Sequence, residues 1–148
     1  MRAQAKNKMY LARQEIVEPT EEQSLIFGLM SYAAYKLWNV ANYERHHWKE
    51  LGLEKYPDWY DQKKRLKTNF FYKNLPSQSA QNVLRKLDES WKSFYALKKS
   101  GGVKNPKPPR FKRDKISVTF VQNAIQVLPN GTFRFTIPKQ LKQHLREK

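Results

Sequence analysis

The chain has 148 residues, 29 of them Lys or Arg and 13 Asp or Glu, for a formal net charge of +16. It holds no cysteine, which excludes a disulfide scaffold, a thiolate zinc site and a cysteine nucleophile. No apolar run approaches the roughly 18 residues of a membrane span, so the composition points to one compact domain or two small lobes with a polyanionic partner.

The N-terminal MRAQAKNKMYLARQ carries charge without an apolar segment and does not resemble a secretory signal. Residues 8–17 (KMYLARQEIV) mix branched, aromatic and long side chains with no helix cap before them, and predict a strand that Pro19 ends. Thr20-Glu21-Glu22-Gln23 is a capping box. The apolar set Ile26, Leu29, Ala33, Leu37, Val40 and Ala41 follows at helical spacing, predicting a helix to about Glu50 with Gly52 as its stop. A shorter helix is expected after Pro57 and Asp58, from Trp59 to Lys67. Asn74-Leu75-Pro76 breaks the chain. Ser77 then caps a third helix with Ala80, Val83, Leu84, Leu87, Trp91 and Phe94 on one face and Arg85, Lys86 and Lys92 on the other.

Charge is distributed unevenly. Residues 1–61 carry 8 basic and 9 acidic side chains, whereas residues 62–148 carry 21 basic and 4 acidic. The densest stretch, KKSGGVKNPKPPRFKRDK, holds Lys98, Lys99, Lys104, Lys107, Arg110, Lys112, Arg113 and Lys115 against Asp114 alone. Two readings stand side by side: a solvated linker kept open by like charges, or a phosphate-binding strap in which prolines favour an extended backbone and space the cations.

Beyond that stretch the hydrophobic period changes from 3.6 to 2. Ile116, Val118 and Phe120 alternate with Ser117, Thr119 and Val121; Ile125 and Val127 follow; Pro129-Asn130-Gly131 signals a turn; and Phe133, Phe135 and Ile137 alternate again. Two or three antiparallel strands are expected, ended by Pro138, with a short basic helix over residues 139–147. The order strand, helices, strands predicts an α+β fold in which the first strand joins the last ones in one sheet and the helical block is an insertion.

Four stretches in this order resemble the N-terminal part of the insertion-sequence TnpB (OrfB) proteins, RNA-guided nucleases related to the compact type V CRISPR effectors and formerly called transposases. They are the opening strand leading into EPTEEQ, YKLWNVAN with Asn39, LPSQSAQNVLRKLDESWKSFYALKK, and PPRFKR with the following SVTFVQNAIQVLPNGTFRFTIPK. The PPRFKR stretch is similar to a G-x-P-[KR]-F-[KR] element, with Lys107-Pro108-Pro109 where the glycine would be expected. The resemblance covers roughly residues 8–140. It implies a small, partly open, OB-like antiparallel wedge sheet or barrel with an inserted helical recognition bundle. The division would be residues 1–19 for the first wedge strand, 20–97 for the recognition lobe, 98–113 for the basic proline-rich loop, and 114–148 for the remaining wedge strands and basic tail.

The family's RuvC nuclease needs three or more carboxylates converging on two metals. The basic half holds Asp88, Glu89, Asp114 and Glu147, and the adjacent pair on a helix diverges by about 100°. No catalytic residue, metal site or cofactor is therefore assigned within these 148 residues. The resemblance implies that the wedge and recognition parts grip a guide RNA scaffold and read a short duplex motif beside the DNA target. The DNA-reading positions fall at Tyr60 and Lys64, at Ser77, Gln78 and Gln81, and at Val121, Gln122 and Asn123. Gln and Asn pair with adenine and Lys donates to guanine in the major groove. Four of them also have a plain structural reading: Gln78 and Gln81 as solvated or capping residues, Tyr60 as a core edge, Asn123 as a turn residue. Trp38 and Trp91 sit at helical spacing and read as core, and the adjacent His46 and His47 lack metal-ligand spacing.

The expected partners are guide RNA and duplex DNA, with no membrane, in the cytoplasm and associated with the nucleoid. A RuvC-bearing chain would supply cleavage. The alternatives are a stand-alone helix-turn-helix regulator, which binds duplex DNA without RNA, and a basic RNA-binding protein with no DNA motif preference. A wedge sheet without further strands keeps an open edge, which predicts self-association.

Overall fold

The computed structural model describes residues 12–146. Five helices and a two-stranded sheet are present among them, so the chain is mixed α and β but mostly helical.

The first helix, α1 (Glu21–His46), starts at Thr20. The Gln23 amide donates to Thr20 Oγ1 at 3.2 Å and the Thr20 amide to Gln23 Oε1 at 3.0 Å, which satisfies two helix-end donors reciprocally. Its buried stripe is Met30, Ala33, Ala34, Leu37, Trp38 and Ala41. The helix ends at His46 rather than near Glu50: residues 47–53 continue as hydrogen-bonded turns, which set Trp48 edge-on to Tyr56 at 6.4 Å. Gly52, at φ +75°, closes them in a conformation that side chains with a Cβ resist.

Helix α2 (Trp59–Leu66) begins at a second capping box, between Asp58 and Asp61. It is followed by α3 (Phe70–Lys73), a single turn that the sequence pattern did not predict, capped by Asn69 Oδ1 accepting from Phe71 N at 2.9 Å. Helix α4 (Ser77–Ser100) begins where expected, but Ser77 is its first helical residue and not its cap. The extended Pro76 occupies the cap position, with no side-chain cap bond, and its fixed φ sets the entry to the helix. The helix ends at Gly101, φ +68°. Lys98 and Lys99 therefore belong to its last turn, and the irregular basic segment begins after it.

Two strand expectations are corrected. Residues 12–19 are exposed and join no strand; residues 8–11 lie outside the described residues. Residues 116–120 show the anticipated alternation, with Ile116, Val118 and Phe120 half-buried and Ser117 and Thr119 exposed, yet pair with no strand. They lie against helices instead, where Ser79 Oγ donates to Thr119 O at 2.7 Å. Alternation reports one-sided burial, and a helical surface supplies that as well as a sheet does.

The sheet has two strands, β1 (Ile125–Val127) and β2 (Phe133–Phe135), antiparallel in the register Ile125↔Phe135, Gln126↔Arg134, Val127↔Phe133. Their turn is held by Thr132 N donating to Asn130 Oδ1 at 3.1 Å and by Gly131 at φ +82°. The sheet is open, and among the described residues no barrel forms. The last helix, α5 (Lys139–Arg146), buries Leu141 completely. Gln140 Nε2 ties it to α3 through Phe70 O at 2.9 Å and to Asn74 Oδ1 at 2.7 Å.

One hydrophobic core results. Met30 and Leu37 of α1, Leu84 and Leu87 of α4 and Leu141 of α5 are fully buried in it, and Ile116, Val118, Phe120 and Ile137 pack against it. The helical block and the C-terminal segment thus share their interior. Among the described residues no helix is long and apolar enough to cross a membrane.

Candidate nucleic-acid interface

The basic segment after α4 runs back along α1 as an ordered strap. Trp38 Nε1 donates to Arg110 O at 3.0 Å, Asn42 Nδ2 to Pro109 O at 3.0 Å, and Asn39 Nδ2 to Lys112 O at 2.9 Å. Lys112 N in turn donates to Asn39 Oδ1 at 2.7 Å. From Asn39 at Lys112 to Asn42 and His46 at Pro109, rising numbers on α1 meet falling numbers on the strap, so the two run broadly antiparallel. Asn39 exchanges both of its amide groups with one peptide-bearing residue, as a neighbouring strand would. Prolines at 106, 108 and 109 remove three amide donors that would otherwise need partners.

With the backbone turned toward α1, the cations are left outside. Lys98, Lys99, Lys104, Lys107, Arg110, Lys112, Arg113 and Lys115 are all exposed, and among the described residues none of them is in an ion pair. Lys112 extends over the Trp38 ring, 4.6 Å from its centroid. Lys115 lies beside Gly28, where a Cβ would stand 3.3 Å from its Nζ. A row of unpaired cations on a tethered backbone suits a polyanion, because each phosphate it neutralises releases counterions.

The eight positions implied to read DNA are distributed over three elements. Tyr60 and Lys64 lie exposed on α2, with the Lys64 ammonium 4.6 Å and the Lys63 ammonium 4.9 Å from the Tyr60 ring centroid. Ser77 and Gln78 are exposed and Gln81 half-buried in the first turns of α4. Gln122 and Asn123 are exposed in a short 3-10 turn (Gln122–Ala124), after the half-buried Val121. The Ser79–Thr119 bond brings the α4 and 3-10 groups to one edge of the molecule. Arg85, one turn beyond Gln81, lies 5.2 Å over the Trp59 ring and links that edge to α2.

A buried polar network fixes the angle between the helices that carry these groups. Arg45 of α1 donates from Nη2 to Asp88 Oδ1 on α4 at 2.8 Å, from Nε to Gln62 Oε1 on α2 at 2.9 Å and from Nη1 to Tyr56 Oη at 3.4 Å. Lys92 Nζ reaches the other Asp88 oxygen at 2.9 Å. Burial opposes the Asp88 charge, but the hydrogen bonds from Lys92 and Arg45 outweigh it and hold the carboxyl below its ordinary range. Burial is also the main cause that pushes the Tyr56 phenol up to about 12. Among the described residues no buried side-chain polar atom lacks a partner, and no group of three acidic or histidine side chains stands close enough to hold a metal.

Sequence reasoning did not single out Asn42, His46 or Phe111 for this face. Asn42 is legible as a polar residue four positions after Trp38 in an otherwise apolar stripe. Phe111 is the aromatic inside the cationic run. Comparison of the chain with protein-family models, with curated proteins and with solved structures finds no match.

Proposed function

We propose that this chain is the nucleic-acid-binding module of a TnpB-like RNA-guided DNA endonuclease, holding the guide RNA scaffold and reading a short duplex motif beside the DNA target. The observation that carries the reading is the strap: six exposed cations, from Lys104 to Lys115, on a backbone tethered to α1 and without carboxylate partners among the described residues, with Lys98 and Lys99 leading into it from the last turn of α4. Under this reading the β1–β2 hairpin and residues 116–120 are wedge elements, whose barrel closes with strands from outside the described residues. The three groups around Tyr60, Gln81 and Asn123 read the DNA motif. Strand cleavage belongs to a RuvC-bearing domain or chain, and the complex works in the cytoplasm at the nucleoid.

The test replaces Lys104, Lys107, Arg110 and Lys112 with Gln together. Affinity for RNA and for duplex DNA should fall uniformly across sequences. For duplex DNA the slope of log affinity against log salt should become shallower by about 3–4, near one unit per lost phosphate contact. An unchanged slope overturns the strap's role. Duplex binding of equal strength and motif preference with and without RNA favours a stand-alone regulator instead.

A further inference from the structure

We infer that the cleft between the strap and the C-terminal end of α1 takes one unpaired base of a nucleic-acid strand, stacked on Phe111. The inference rests on the nucleic-acid reading above and assigns it a strand state and a contact. The cleft holds about 710 Å³, within the range of about 300–1,000 Å³ typical of small-ligand sites. Pro109, Phe111 and His46 line it together with the cations Lys107, Arg110 and Arg113.

Phe111 is 45% exposed, yet its ring is held. It stacks on His46 with centroids 5.4 Å apart and planes at 24°. His46 is itself set edge-on against the buried Trp91 at 4.9 Å, with Nε2 3.4 Å from Pro109 O. The Phe111 ring is thus supported on one face while the residue remains open to the cleft. A flat aromatic surface edged by unpaired cations matches a nucleotide, base on the ring and phosphates on the cations. An acidic peptide would use the cations and leave the ring in water. A duplex keeps its base faces stacked inside and cannot offer one. Tyr60 and Tyr32, exposed aromatics that also have nearby cations, differ: Lys63 and Lys64 already lie over the Tyr60 ring and Lys36 over the Tyr32 ring.

The test measures binding of the full chain to a short single strand carrying a fluorescent adenine analogue, to the matching duplex, and to free adenosine monophosphate. Phe111→Ala should weaken single-strand binding about tenfold, weaken duplex binding far less and abolish the quenching of the stacked analogue. Phe111→Leu, which keeps an apolar side chain against His46 without a π face, should lose as much, and Phe111→Tyr should retain wild-type affinity. This Leu–Tyr comparison decides the matter if the alanine variant melts early. Single-strand affinity unaffected by Phe111→Leu, while the four-Gln strap variant weakens it, overturns the base site and leaves the nucleic-acid reading standing. Free nucleotide binding as tightly as the strand also overturns the inference. Wild-type protein that binds neither strand nor duplex at low salt brings down the underlying reading.

Discussion

Arg45 and Asp88 show how much of this molecule turns on single side chains. Each is almost wholly out of water, with side-chain exposures of 1% and 4%, and each is fully partnered. Removing one leaves the other buried without a counter-charge, so Asp88→Ala should cost about 3–5 kcal/mol in urea unfolding. Lys92, 75% exposed, touches the same carboxylate but is already in water, and Lys92→Ala should change the midpoint far less. The pH dependence has a definite sign. The folded Asp88 carboxyl titrates below the ordinary value of 3.8, so the unfolded chain takes up the proton first. Its contribution is complete above about pH 4 and is lost as the pH falls through the folded pKa. Unfolding midpoints measured from neutral pH downward should show Asp88→Asn with a flatter acid limb than wild type. None of this pairing was legible in the sequence. Asp88 stands out only as one of four acids in the basic part of the chain and Arg45 not at all, and only the packing of α1 on α4 turns both inward.

Among the elements, those with long periods or strong caps were legible: α1 from its capping box, α2 from Pro57-Asp58, α4 from its apolar face, the hairpin from its turn and α5 from the residues after Pro138. Helix α3 was not, because four residues are too few to show a period. The extended segment 116–120 was legible as alternation, but its partner was not. The strap was legible as charge, whereas its seat on α1 depends on Asn39 and Asn42, whose long-range contacts no local pattern announces. Those contacts make the strap an element in its own right. Asn39→Ala removes two hydrogen bonds, a loss of about 1–2 kcal/mol in local opening at about 1 kcal/mol each. Hydrogen exchange at the Lys112 amide should accelerate by about 5–30-fold, and nucleic-acid affinity should fall because the cations are no longer held in place. Exchange unchanged at Lys112 would mean that the strap is held elsewhere.

At the scale of the whole molecule, the basic strap lies back along α1, which belongs to the nearly neutral part of the chain, while α4 and α5 of the basic part share the core with it. The excess charge also sets how copies meet. The hairpin exposes Val127 and Phe133, and Ile16 and Val17 are exposed ahead of α1. A cleft of about 430 Å³ between the start of α1 and β2 is lined by Val17, Phe27 and Phe133 among others. An open edge with apolar surface favours pairing, while a net charge of +16 opposes it until salt shortens the screening length from about 10 Å at 0.1 M to about 3 Å at 1 M. Light-scattering mass should therefore rise with salt, and Phe133→Lys should suppress the rise. A single-chain mass at every salt concentration would remove self-association from the picture.

Asn42 joins these scales in one side chain. Its Oδ1 accepts from Trp91 Nε1 at 2.9 Å, while its Nδ2 donates to Pro109 O. An indole can only donate, so Trp91 dictates which way round the amide sits and leaves the NH2 group facing the proline carbonyl. The grip on the polyanion-facing segment is therefore oriented from the opposite helix. Helix pairing and the latch are thereby coupled: the contact between α1 and α4 that seats the indole also sets the amide face to which the charged segment is tied.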